Sequence, residues 1–191
     1  SRAAPFVGFF SATFWPAAML RIALWAGQNV IYSRNVMRNK IIDSKEIDVD
    51  ISVFLEDIKL NIRAAVIIET EKGYIFDKDK LEGFYYIVGG RIKINESSEN
   101  AAKREIKEEL GIDIENIKLK AIVESFFVYD NKRYHEICFY YKHKIHGNIH
   151  LPENYFIFTK EEINKEDIQP KIINQIINLK NNEIMHLIIN E

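Results

Sequence analysis

Thiols are almost absent. The single cysteine, Cys138, cannot close an internal disulfide and has no second thiol at zinc-ligand spacing, so a reducing cytoplasm fits and a thiolate zinc site does not. Within an apolar strand it reads as a small buried hydrophobe. An excess of one charge is also lacking: with net charge -2 there is no basic excess to suggest a nucleic-acid partner or a polybasic membrane anchor. Repeats and low-complexity tracts are missing as well. What remains is a globular composition, 47% hydrophobic and 28% charged, in a chain long enough to bury a core as one domain.

A third shortage is local. Residues 1–36 contain no Lys, Asp or Glu, yet hold both tryptophans, seven alanines and only two of the 32 isoleucines. From Met37 the chain is rich in Ile, Lys, Asn and Glu. This break marks Met37 as the natural start of a domain over 37–191 and residues 1–36 as a non-native leader, with an apolar membrane or partner-binding appendage as the alternative. Ala3 to Leu20 is uncharged, but Pro5, Gly8 and Pro16 interrupt it and Arg21 closes it, which makes a poor spanning helix.

"KLNIRAAVIIET" is a β-branched run, "EKG" a turn, and "YIFDK" a second strand, which predicts a hairpin. "GFYYIVGG" (83–90) reads as one further strand. A second hairpin is predicted from "LKAIVESFFVYD" (119–130) and "KRYHEICFYYKHKI" (132–145), turning at Asp130-Asn131. "NYFIFTK" (154–160) reads as a strand, "QPKIINQIINLK" (169–180) as a helix with Pro170 in its first turn, and "IMHLII" (184–189) as a closing apolar segment. Interspersed strands and helices predict an α/β or α+β layered domain.

Between the hairpins lies "VGGRIKINESSENAAKREIKEELGI" (88–112). Ser97 or Ser98 caps a helix from about Ser98 to Leu110, and Gly111 ends it. Ala102, Ile106 and Leu110 form its packing face, and Glu105, Glu108 and Glu109 fall within about 100° of arc beside that face. These acids repel each other and meet the negative end of the helix dipole, each effect costing about 0.3 to 1 kcal/mol when exposed. Arg104 compensates in part. A solvated Glu/Lys helix is the plain alternative, but the double glycine ahead lets backbone approach a ligand, and a hard divalent cation would resolve the charge.

Gly90, Glu96, Arg104, Glu105, Ile106, Glu108, Glu109, Gly111 and Ile112 fit without a gap the pattern G-x5-E-x7-R-E-U-x-E-E-x-G-U, with U aliphatic. In this segment the chain resembles the Nudix hydrolase family. The resemblance implies an α/β/α sandwich with a mixed sheet and a loop-helix-loop catalytic motif. It also implies Mg²⁺- or Mn²⁺-dependent hydrolysis of a nucleoside diphosphate linked to another moiety. By position, Glu105, Glu108 and Glu109 would be metal ligands with the Gly89 carbonyl, Arg104 would orient a ligand glutamate, and Gly90, Glu96 and Gly111 would be structural. Val88 stands where the family usually has Pro. Asn95 stands where Gly is common, and Asn tolerates the left-handed conformation such a position needs.

Phosphoanhydride hydrolysis needs phosphate charge neutralised and a water aimed at phosphorus, for which about two or three Mg²⁺ would balance the acids and the diphosphate. Glu105 is the first candidate for the base, with Glu124 and Glu153 as alternatives. Arg63 and Arg91 are candidates for holding phosphate or ribose, and Phe126, Tyr129, Tyr134 or Tyr140 for stacking on a base, though core and surface roles are equally open to them. His135 and Glu136 point to opposite faces of a strand and read as structural. No Ser-His-Asp set or phosphate-binding P-loop is present. The expected partner is a small nucleotide: a nucleoside triphosphate in a MutT-like role, ADP-ribose, a dinucleoside polyphosphate or a nucleotide sugar. A homodimer is an option, no nucleic acid is expected, and a membrane enters only if residues 1–36 are native. The competing reading is a Nudix-fold module that senses a nucleotide without turnover.

Overall fold

Along Ile58–Glu69, Ala64, Val66 and Ile68 are buried on one side of the strand and Ala65 and Ile67 on the other, because strand side chains alternate. An unbroken apolar run of this kind belongs to a sheet covered on both faces. The computed structural model describes residues 48–190. In chain order its elements are β1 (Ser52–Leu55), β2 (Ile58–Glu69), β3 (Tyr74–Lys78), β4 (Tyr85–Tyr86), β5 (Gly89–Arg91), α1 (Ser98–Leu110), β6 (Lys118–Tyr129), β7 (Lys132–Lys144), β8 (Tyr155–Phe158), α2 (Lys160–Ile163), β9 (Ile168–Gln169), α3 (Ile173–Ile177) and β10 (Met185–Asn190). The expected boundary at Met37 and the leader over residues 1–36 lie outside the described residues. No helix among the described residues is long and apolar enough to cross a membrane.

The strands of the described residues join one mixed sheet. β2 runs parallel to β7 along its whole length, from Ile58↔Arg133 to Glu69↔Lys144. β6 and β7 form the expected hairpin, with Asp130 and Asn131 both at positive φ (49° and 56°), the geometry that suits a two-residue turn to the twist of its strands. β10 closes the sheet parallel to β6. The other edge of β2 is shared in series by β1 at Ser52–Leu55, β5 at Gly89–Arg91 and β3 at Tyr74.

The two faces carry two cores. Ala101, Ala102, Ile106 and Leu110 of α1 pack over Ala64, Val66, Ile68, Ile75 and Tyr141. Ile163 of α2 and Ile173, Ile176 and Ile177 of α3 cover Ala65, Ile67, Phe76, Val123, Cys138 and Tyr140. Helices thus cover both faces of a mixed sheet, which is the α/β/α sandwich expected.

Three local readings change. "GFYYIVGG" is not one strand: Tyr85 and Tyr86 pair with β3, after which the chain crosses to pair Gly89 and Gly90 with Ala65 and Ala64 of β2. Small residues on both sides allow that approach, since a Cβ on Gly89 would come within 2.5 Å of the Ala65 Cα. The helix read over 169–180 shrinks to α3, because Gln169 is taken into the sheet opposite Tyr86 and Ile172 supplies no side-chain cap. β1 and α2 were not anticipated. α2 is a single turn closed by a capping box between Thr159 and Glu162.

Candidate active site

α1 is built as its sequence implies. Ser97 caps it by accepting from the Asn100 amide at 3.1 Å, and Gly111, left-handed at φ 70°, donates its N–H to the Lys107 carbonyl. The loop that feeds it turns at Asn95 with φ 66°, so Asn takes the left-handed role expected of it. Val88, in place of the family's Pro, is fully buried, and its carbonyl accepts from the Val66 amide at 2.9 Å.

Arg104 organises the site. Its Nε donates to Glu96 Oε1 at 2.8 Å and its Nη2 to Glu96 Oε2 at 2.9 Å, a two-pronged pairing that suits a planar guanidinium. Nη2 also reaches the Arg91 carbonyl at 3.0 Å, while Nη1 donates to Glu105 Oε1 at 2.6 Å and to Glu108 Oε2 at 3.1 Å. The Glu96 hydrogen bond holds the guanidinium protonated more firmly than usual, and burial opposes it. Glu96 itself meets the opposing effect of burial, but the Arg104 bonds and the Lys93 amide hold its carboxyl below the usual range. Glu96 is thus a brace between loop and helix.

The glutamates project from one flank of α1 but do not converge on one point. Arg104 takes Glu105 and Glu108, whereas Glu109 Oε2 accepts from the Tyr155 hydroxyl at 2.8 Å. Among the described residues no group of three or more His, Cys, Asp or Glu side chains is gathered as for a metal. The Glu105 carboxylate lies against Gly90, where an added Cβ would stand 2.6 Å from Oε2. A side chain at that position would have to displace the carboxylate. The Gly89 carbonyl accepts from Arg63 Nη2 at 3.2 Å.

Glu109 is the perturbed acid. Burial chiefly, with Glu105 and Asp77 nearby, pushes its carboxyl up to about 7, against the Tyr155 hydrogen bond and Arg63, which favour the charged form. A raised carboxyl means that the folded chain holds a proton that the unfolded chain has released between pH about 4.5 and 7. The metal-free protein should therefore lose stability as pH rises through that window. If a cation neutralises this acid, Mg²⁺ should raise the unfolding temperature more at pH 8 than at pH 5, measured by thermal melts in EDTA and in Mg²⁺. An equal increment at both pH values would contradict this.

The remaining candidates are spread over the sheet. Arg63 and Arg91 are direct register partners on β2 and β5, so two guanidinium groups share one face beside Gly89. Glu136 lies 3.8 Å from Arg63 and Asp50 3.1 Å from Arg91. Glu124 is paired with His186 at 2.6 Å. Glu153 is exposed in the loop before β8. Phe126 stacks on His135 at 4.4 Å, Tyr129 reaches Glu82 at 3.4 Å, and their odd separation in β6 puts them on opposite faces. Tyr134 stacks on Phe127, whereas Tyr140 and Cys138 are core, and burial pushes the Cys138 thiol up to about 12. Sequence reasoning missed Asp77, Tyr86 and Tyr155. The one signal for them was an acid, now only 8% exposed, in the apolar strand "YIFDK".

The NUDIX domain family model matches residues 59–176, more than half of the chain. Among solved structures the fold is similar to a MutT protein from Bacillus halodurans, with TM-score 0.56 and 18% identity over 66% of this chain and 86% of that one. It is also similar to an Ap4A hydrolase from C. elegans (TM-score 0.49, 16% identity, 62% and 93% covered). A MutT protein from Methanosarcina mazei Go1 scores 0.48 at 20% identity, with 64% and 93% covered. No curated protein matches the sequence. The family match over the sheet, glycine loop and α1 places the chain in the NUDIX domain family, as an enzyme of its pyrophosphohydrolase class.

Proposed function

We propose that the protein hydrolyses a phosphoanhydride bond of a nucleoside diphosphate linked to another moiety, with Mg²⁺ or Mn²⁺ as cofactor. The carrying observation is the Arg104 clasp on Glu96, Glu105 and Glu108 beside a Glu109 whose carboxyl is raised to about 7. A half-buried acid raised chiefly by burial, with like charges nearby, is the kind of group that functional sites gather.

The donor chemistry suits a hard divalent ion, since Glu105, Glu108, Glu109 and the Gly89 carbonyl offer only oxygen, and binding would draw together carboxylates that Arg104 and Tyr155 hold apart. When bound, such an ion would neutralise phosphate charge and lower the pKa of a coordinated water. Glu105, held at Oε1 by Arg104, is the carboxylate we assign to take the proton of the attacking water. Glu124 is less suited, since it is committed to His186. Arg63 and Arg91 face each other across β2 and β5, so two guanidinium groups could converge on one diphosphate, which supports them as its holders.

The substrate is tested by a panel of nucleoside triphosphates, ADP-ribose, dinucleoside polyphosphates and nucleotide sugars, each with Mg²⁺, Mn²⁺ or EDTA. Metal-dependent turnover of at least one member is expected. Binding without turnover of any member would favour the sensing module, and turnover that survives EDTA would overturn the metal assignment.

A further inference from the structure

Asp77 of β3 is the register partner of Tyr86 on β4 and of Tyr155 on β8. Directly opposed residues project from the same face, so the three side chains form a row across three strands. Asp77, in the middle, accepts from the Asn154 side-chain amide, and its charge lies beside the Tyr86 phenol. The Asn154 backbone carbonyl also accepts from the Lys78 amide at 2.9 Å, which fixes the chain immediately before Tyr155. The Tyr155 hydroxyl turns instead to the helix and donates to Glu109 Oε2 at 2.8 Å. The helix glutamates are therefore held by two separate devices, Glu105 and Glu108 by Arg104 and Glu109 by a tyrosine anchored in the sheet.

We propose that Tyr155 is a positioning residue for Glu109, holding Oε2 so that Oε1 is presented to a divalent cation. This rests on the metal reading above. A glutamate loses rotamer freedom when it takes an ion, and a carboxylate already fixed loses less at the binding step. Tyr155 is well built for holding an acid still, because its backbone is locked into β8 and it has only two side-chain torsions to settle. A donor to the non-ligating oxygen also orients the carboxylate, the usual work of a group lying just behind a metal ligand.

The test uses the full chain without substrate and follows free Mn²⁺ by electron paramagnetic resonance. Tyr155→Phe should raise the Mn²⁺ dissociation constant about tenfold, and Glu109→Gln at least as much. In the Glu109→Gln background Tyr155→Phe should add nothing, because its effect passes through that carboxylate. Thermal unfolding in EDTA shows whether the variants remain folded, and general loosening would weaken binding in both backgrounds. An unchanged constant for Tyr155→Phe beside a weakened Glu109→Gln, or additive effects of the two, overturns the role of Tyr155 alone. A wild-type chain that leaves Mn²⁺ free, or Glu109→Gln binding like wild type, overturns the metal reading beneath it.

Discussion

Glu105→Gln is expected to lower kcat about 10³-fold at saturating Mg²⁺, the loss of a proton acceptor together with a charged ligand. The amide is nearly isosteric, so it fits against Gly90 and can still accept from Arg104 Nη1 through its carbonyl oxygen. The fold should therefore survive. Glu108 gives the contrast. Its side chain is 55% exposed against 14% for Glu105, so Glu108→Gln should cost much less. Steady-state turnover of the best panel substrate, with thermal melts of each variant, measures both. A Glu105→Gln enzyme within about tenfold of wild type would move the base elsewhere, with Glu153 next in line.

Arg104→Met should have the largest effect on stability. The guanidinium makes bonds to Glu96, Glu105, Glu108 and the Arg91 carbonyl from a side chain only 20% exposed. Removing it leaves the part-buried carboxylates of Glu96 and Glu105 without their cation and Glu108 unpaired in the last turn of the helix. Breaking such a network by deleting one partner costs about 3 kcal/mol, or roughly 10 °C in unfolding temperature for a domain of this size. Arg104→Lys keeps the charge but cannot fork, so it should recover only part of the loss. Differential scanning calorimetry in EDTA measures this directly, and a shift of about 2 °C or less would mean that the clasp contributes little to folding.

The helix and its charges were legible in the sequence because spacing alone fixes which side chains share a helical face. The cap, at Ser97 or Ser98, and the left-handed Asn95 and Gly111 could be placed for a related reason: capping and left-handed turns are local events. The Asp130-Asn131 hairpin followed from turn chemistry. Features set by distant pairing were not legible. The crossing of residues 83–91 from β3 to β2 depends on Ala64 and Ala65 leaving room for glycine, which no window around Gly89 reveals. Tyr155 reaches Glu109 only because β8 pairs with β3 in one particular register. A slip by one residue would turn Tyr155 away and bring Asn154 or Phe156 in its place. The short α3 fails for a related reason, since the sheet claims Gln169 before a helix can start.

Amide hydrogen exchange across the last turns of α1, in EDTA and then in Mg²⁺, tests the central claim most directly. Carboxylates crowded at a helix C-terminus should loosen Lys107 to Gly111 while no cation is bound and tighten them once one is. Slower exchange on adding Mg²⁺, with a larger change there than elsewhere among the described residues, is the predicted result. Exchange at those amides that Mg²⁺ leaves unchanged would contradict the account.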